Sequence, residues 1–232
     1  MVALTPTELA VSLSALSVAA LVLTVVVFLR YREEHRRCHL YWGVGLFLVF
    51  VTVAEEVPLA LGVWNQPLIV SYLVLVALLV GILSMGSAEL ALSGLWKSVW
   101  FGFLGVSSAA LVVVSVIPSL STVSSSIVAN GVVTGTPPFW VEVLSSLITI
   151  PAALMLIGTS LYGAVWQHRW SLLYITAGTV VISAAGALYV FVGFPASLYY
   201  AEFVGFVLFF FGFVKIPYIS APAARSAPAQ SA

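Results

Sequence analysis

The sequence predicts an all-α integral membrane protein: a seven-transmembrane-helix bundle with its N-terminus outside and its C-terminus cytoplasmic. Three observations predict it. Of the 232 residues, 62% are hydrophobic and only 7% are charged, whereas a soluble domain carries about 25% charged residues. So few charges cannot coat a water-facing surface, so lipid must cover it. Seven apolar runs of spanning length follow one another along the chain, at roughly 8–29, 40–61, 68–92, 99–120, 139–165, 171–193 and 198–219. Finally, all eight Lys and Arg residues fall on one side of the resulting threading, which the positive-inside rule makes cytoplasmic. The runs do not alternate polar and apolar residues, so they read as helices that satisfy their own backbone rather than as barrel strands.

The first span is uncharged from Leu9 to Leu29, and Met1–Glu8 holds no Lys or Arg. It therefore reads as a membrane span and not as a cleaved signal. Arg30, Arg32, Arg36 and Arg37 flank the first connection, Lys97 lies in the third and Arg169 in the fifth. Lys215 and Arg225 lie at or after the end of the seventh span, and the second, fourth and sixth connections hold no basic residue. The seven tryptophans fall near span ends: Trp42, Trp96, Trp100, Trp166 and Trp170 at the basic end, Trp64 and Trp140 at the other. Aromatic belts occupy such positions. Small residues such as Ser12, Ser14, Gly43, Gly45, Gly81, Ser84 and Gly86 are expected to let helices approach closely.

Two segments fall outside this bundle, which occupies residues 1–220. In the connection 121–138, Asn130-Gly131 stands between β-branched runs, the preferred setting of a tight β-hairpin. The tail 221–232, APAARSAPAQSA, has a composition expected to stay disordered. Cys38 is the single cysteine, so no intrachain disulfide forms.

The stretch HRRCHLYWGVG (35–45) aligns without a gap on HRWSLLYITAG (168–178). His35/His168, Arg36/Arg169, Leu40/Leu173, Tyr41/Tyr174 and Gly45/Gly178 coincide. Each stretch leads from a basic connection into a span running the same way. A 3+1+3 plan of two parallel three-helix units follows, with span 4 as the connector; parallel repeats of this kind occur in transporters. Shared constraints on basic loops offer the competing explanation.

The residues that most need explaining are carboxylates. Glu55 and Glu56 stand side by side in VTVAEEVPLA, roughly 22–24 Å along the second span. Glu142 and Glu202 start spans 5 and 7 at a similar level, and no Lys, Arg or His is expected at that end. Three states are open to these acids: protonated, holding a cation, or facing water. Thr52 lies one turn before the pair, and Pro58 cannot donate to the carbonyl of Ala54. The resulting all-oxygen set suits protons or hard cations, with no firm metal site. Adjacent residues on a helix point about 100° apart, so Glu55 and Glu56 cannot face one point. Glu142 and Glu202 also fit ordinary helix N-terminal acids, which the macrodipole favours. Glu89, near the basic end of span 3, is expected to form a structural ion pair with Lys215. Lys97, at i+8, is too far along one helix.

Several classes drop out. No basic stripe exists for nucleic acid. Asp is absent, and His35, His39 and His168 all lie in basic connections, so enzyme activity and haem ligation within the spans are not expected. A lysine in the seventh of seven spans resembles the microbial rhodopsins, which carry retinal there. However, Phe211 stands where those proteins place an Asp, and the third span lacks their acids and arginine. Retinal on Lys215, or any other cofactor, is not expected. HLYWGVGLFLVFVTVAEEVPLALG with LVGILSMGSAEL resembles a broad group of uncharacterised prokaryotic seven-helix membrane proteins, which implies no activity. Two classes remain for a multi-pass cell-membrane protein whose partners are the lipid bilayer and a small cation, proton or small molecule. One is a small transporter or ligand-binding protein using Thr52, Glu55, Glu56, Glu202 and Glu142. The other is a non-catalytic receptor, sensor or subunit of a membrane complex or homo-oligomer.

Overall fold

The computed structural model describes residues 6–63, 65–122, 128–129, 132–133, 137–166, 168, 170–192 and 195–214. The helices are α1 (Pro6–Glu34), α2 (Arg37–Ala60), α3 (Gln66–Ala91), α4 (Gly94–Val116), the single turn α5 (Pro118–Ser121), α6 (Phe139–Trp166), α7 (Leu172–Val192) and α8 (Pro195–Val214). Five of them, α1, α2, α3, α4 and α6, are long and apolar enough to cross a membrane. The protein is therefore a helical membrane protein. α7 and α8 contribute shorter described apolar stretches, Leu172–Ile182 and Ala201–Phe213.

Helix ends follow local chemistry. Asn65 caps α3 by accepting the Leu68 amide at 2.9 Å, one of the donors a helix start leaves unpaired. The fourth span was expected to reach residue 120 but stops at Val116. Pro118 disfavours helical geometry in the residue before it, and Ile117 is extended at φ −86°, ψ 109°. The chain then restarts as α5. In the connection beyond, Val128 pairs with Val133 and Ala129 with Val132 as two antiparallel strands, β1 (Val128–Ala129) and β2 (Val132–Val133). β2 lies against α2. The Asn130-Gly131 turn lies outside the described residues, as do Trp64, Arg169, Lys215, Arg225 and the tail 221–232.

Neighbouring helices close a ring. α1 packs on α2, α2 on α3, α3 on α6, α6 on α7, α7 on α8, and α8 returns to α1. α4 leans on α3 and α6 from outside. Glycines set the close approaches within the ring. A Cβ on Gly86 of α3 would run into the Trp42 ring of α2, and one on Gly45 of α2 would meet Leu83 of α3 at 2.6 Å. The α7–α8 pair repeats this arrangement. Gly212 of α8 would meet Ile175 of α7 at 2.5 Å, and Gly178 of α7 would meet Phe209 of α8 at 2.9 Å. In both pairs the two contact positions lie three residues apart on each helix. The two non-glycine residues at positive φ among those described are His35 (φ 51°) and His168 (φ 52°). Each sits in the left-handed conformation that ends a helix just before the next begins.

Gly43 and Gly81 also sit in close packing, against Phe28 and Ile148, and Ser84 is fully buried. Ser12 and Ser14 depart from expectation. Both are exposed, and each hydroxyl donates to a carbonyl of its own helix, Glu8 at 2.9 Å and Ala10 at 2.8 Å. A hydroxyl that satisfies itself on its own helix can face lipid, so these serines need no partner helix.

Gly45→Ala should lower unfolding stability by about 1–3 kcal/mol through overpacking. Gly102→Ala on α4, where an added Cβ meets nothing within 4 Å, should leave stability unchanged or slightly raised. Thermal unfolding of both variants in lipid checks this.

Candidate functional site

The glutamates of α2 find their partners on α3. Ser71 Oγ lies 2.9 Å from Glu55 Oε1, and Tyr72 Oη donates to Glu56 Oε1 at 2.7 Å. Sequence reasoning missed both residues, although a depth count points to them. Glu55 and Glu56 sit about 6–8 Å before the end of α2, and Ser71 and Tyr72 sit about 7–9 Å after the start of α3. Helices joined by a short turn place such positions at one level. The two glutamates diverge as the 100° step requires. Glu55 is half-buried, and its partner Ser71 also lines a groove shared by α3, α4 and α5. Glu56 is buried at 6% exposure.

Glu202 of α8 lies on the far side of α1 from Glu56, one turn before Phe206, which packs in one cluster with Val53, one turn before Glu56. One oxygen on each of the three acids, Oε2 of Glu55, Glu56 and Glu202, is buried without a hydrogen-bond partner among the described residues. No ion pair among those residues involves any of them. The apolar cluster of Leu13, Leu16, Val49, Val53, Ala60 and Phe206, drawn from α1, α2 and α8, packs along this part of the bundle. The structure thus sets Glu56 and Glu202 beside one apolar cluster and gives Glu56 a phenolic donor.

Ser71 adds a constraint of its own. Its hydroxyl is 2.9 Å from both Glu55 Oε1 and the Leu68 carbonyl. A serine has one hydrogen to give. That one hydrogen is shared between the Glu55 carboxyl and the Leu68 carbonyl, a three-centre arrangement common in helices.

The remaining candidates fall elsewhere. Thr52 is buried one turn from Glu56, but its hydroxyl donates back to the Val49 carbonyl at 2.9 Å, so only its oxygen lone pairs remain for a ligand. Glu142 is exposed in the first turn of α6, the position that a helix dipole favours for an acid. Glu89 is ion-paired with Lys97, Nζ to Oε1 at 3.2 Å, which corrects the reading that Lys97 is out of reach. The two do not lie on one helix. α3 ends at Ala91, and Gly94 at φ 55° starts α4 in a new direction, which folds Lys97 back over Glu89. Lys215, the expected partner, lies outside the described residues.

Among the described residues no group of three or more His, Cys, Asp or Glu could hold a metal ion. No family profile, curated protein or solved structure matches the chain.

Tyr72→Phe removes the donor that satisfies a buried carboxyl oxygen and should cost about 1–3 kcal/mol of stability. Ser115→Ala, whose hydroxyl only donates to the Leu111 carbonyl of its own helix, should cost much less. Comparing the two unfolding midpoints in lipid checks the difference.

Proposed function

We propose that this protein is a small membrane transporter or ion-binding protein whose outward-facing carboxylate site, Glu56 with Glu202, takes up a proton. One observation carries the reading: two acids from the helices on either side of α1 border one apolar cluster, each with a buried oxygen that has no hydrogen-bond partner, and no ion pair involves either among the described residues. Ionisable groups inside a membrane bundle mark ion and proton paths. Calcium takes six to eight oxygen ligands and magnesium a near-ideal octahedron. Two carboxyls and a tyrosine supply fewer, whereas a proton shared between two carboxyls needs only two oxygens.

The architecture we propose around this site has seven spans, with α7 and α8 completing the set. The basic end is cytoplasmic and the N-terminus outside, in a multi-pass protein of the cell membrane. α1–α3 and α6–α8 form two parallel three-helix units, with α4 as connector. Support comes from the matched left-handed histidines, from the glycine contacts that recur between α2–α3 and α7–α8, and from the ring itself. Exchanging the two units maps the α3–α6 interface onto the α8–α1 interface. Repeat units that rock against each other around a fixed site give alternating access in transporters. Glu56 and Glu202 belong to different units, so a proton between them would be bound where the units meet.

Infrared difference spectroscopy of the protein in nanodiscs across pH tests the site. A carboxylic C=O band that titrates in wild type and is lost or shifted in both Glu56→Gln and Glu202→Gln is the expected result. A spectrum with no titrating carboxyl, or a band unchanged in both variants, contradicts proton binding and leaves the receptor or subunit class.

A further inference from the structure

A cavity of about 780 Å³ opens at the basic end of the ring, away from the acid pair. Five helices line it: α2, α3, α6, α7 and α8. Leu154, Gly158 and Tyr162 in its wall are exposed, so the cavity is open along the flank of α6, while the buried Trp42 and Phe213 form its inner wall. Its size falls within the range of small-molecule sites. Towards the acid pair it ends in packed side chains. Trp42 and Phe213 in its wall belong to the same cluster as Leu46, Leu83 and Phe209, which lie about one helical turn further from the basic end.

The wall has two kinds of surface. Trp42, Tyr162 and Phe213 provide aromatic faces, and Ser160 is a buried hydroxyl-bearing residue beside them. The charged or titratable residues in the wall are Arg36, Cys38, His39 and Tyr162, and no Asp or Glu is among them. Glu34 stands behind, 3.6 Å from Arg36 Nε and 3.8 Å from His39 Nδ1. A guanidinium carries five donors in a planar fork and can serve more than one oxygen partner at once. A second guanidinium adjoins the wall, since Arg30 Nη1 donates to the Phe213 carbonyl at 2.8 Å. Positive charge at one rim and aromatic surface within describe a ligand with an apolar body and one negative group.

We propose that this cavity binds a small amphipathic monocarboxylate, its carboxylate at Arg36 and its apolar body against Trp42, Tyr162 and Phe213. The site goes beyond the proton reading and does not depend on it. Either can fail alone, because the ligand test uses no variant of Glu56 or Glu202.

The test measures ligand-induced stabilisation of the full chain in phosphatidylcholine nanodiscs, which carry no net headgroup charge. The probes are cinnamate, the uncharged isostere cinnamamide and cinnamylamine. A ligand that binds only the folded state raises its unfolding midpoint. Cinnamate should bind at least about tenfold more tightly than cinnamamide, the scale of one hydrogen-bonded charge, and cinnamylamine should bind no better than the amide. Arg36→Gln should abolish the preference for cinnamate over cinnamamide. Gly158→Leu should weaken both ligands about tenfold or more by filling the cavity. Gly158 lines the wall, and an added Cβ there meets nothing within 4 Å, so this variant keeps the test decisive if Arg36→Gln does not fold. Equal affinity for cinnamate and cinnamamide, no stabilisation by cinnamate, a preference that survives Arg36→Gln, or binding indifferent to Gly158→Leu would overturn the proposal.

Discussion

Two carboxyl groups, Glu56 and Glu202, each with a buried oxygen that has no hydrogen-bond partner and no cation paired to it among the described residues, set the terms for the rest of the structure. An ionised carboxylate in an apolar surround is costly unless it is paired or hydrogen-bonded. The half of the bundle away from the basic end carries the response. Tyr72 turns its hydroxyl to Glu56, and Ser71 sits between Glu55 and a backbone carbonyl. One oxygen on each acid is still left over. That residue of unmet hydrogen-bonding capacity separates a site from a structural contact. It contrasts with Glu89, whose partner Lys97 is 3.2 Å away at the opposite, basic end.

The close helix packing and the site depend on each other. Small residues at Gly45, Gly86, Gly178 and Gly212 let α2 meet α3 and α7 meet α8 at near-backbone distance. Without strong hydrophobic pressure between helices in lipid, such packing contributes much of what holds them together. It also fixes the register that puts Ser71 and Tyr72 level with the two glutamates. Charge is sorted by end: acids without cations at one, arginines and a lysine at the other, with Leu46, Leu83 and Phe209 packed between.

Much of this was legible in the sequence, for a definable reason. Lipid imposes length and polarity on every span independently of its neighbours, so the limits of α2, α3 and α6 fall within about three residues of the hydropathy runs. α4 stopped short because Pro118 acts locally, inside a run that stays apolar. The divergence of Glu55 and Glu56 follows from helix geometry alone. Their partners did not emerge, because which residues of α3 face α2 depends on helix rotation, which glycine contacts set and hydropathy does not encode. The Glu89–Lys97 pair was misjudged by counting along one helix where Gly94 turns the chain. The HR repeat was visible as letters, but its shared left-handed helix ending was not.

The central claim is that Glu56 and Glu202 act as one unit. A double-mutant cycle on unfolding free energy in lipid, with Glu56→Gln, Glu202→Gln and the double variant, tests it most directly. Interacting buried groups show coupling energies of about 0.5–3 kcal/mol. The account predicts coupling in that range, because replacing either acid relieves the other and the second substitution then gains less. Additive effects within about 0.3–0.5 kcal/mol, the behaviour of distant independent sites, would show two separate acids and contradict it.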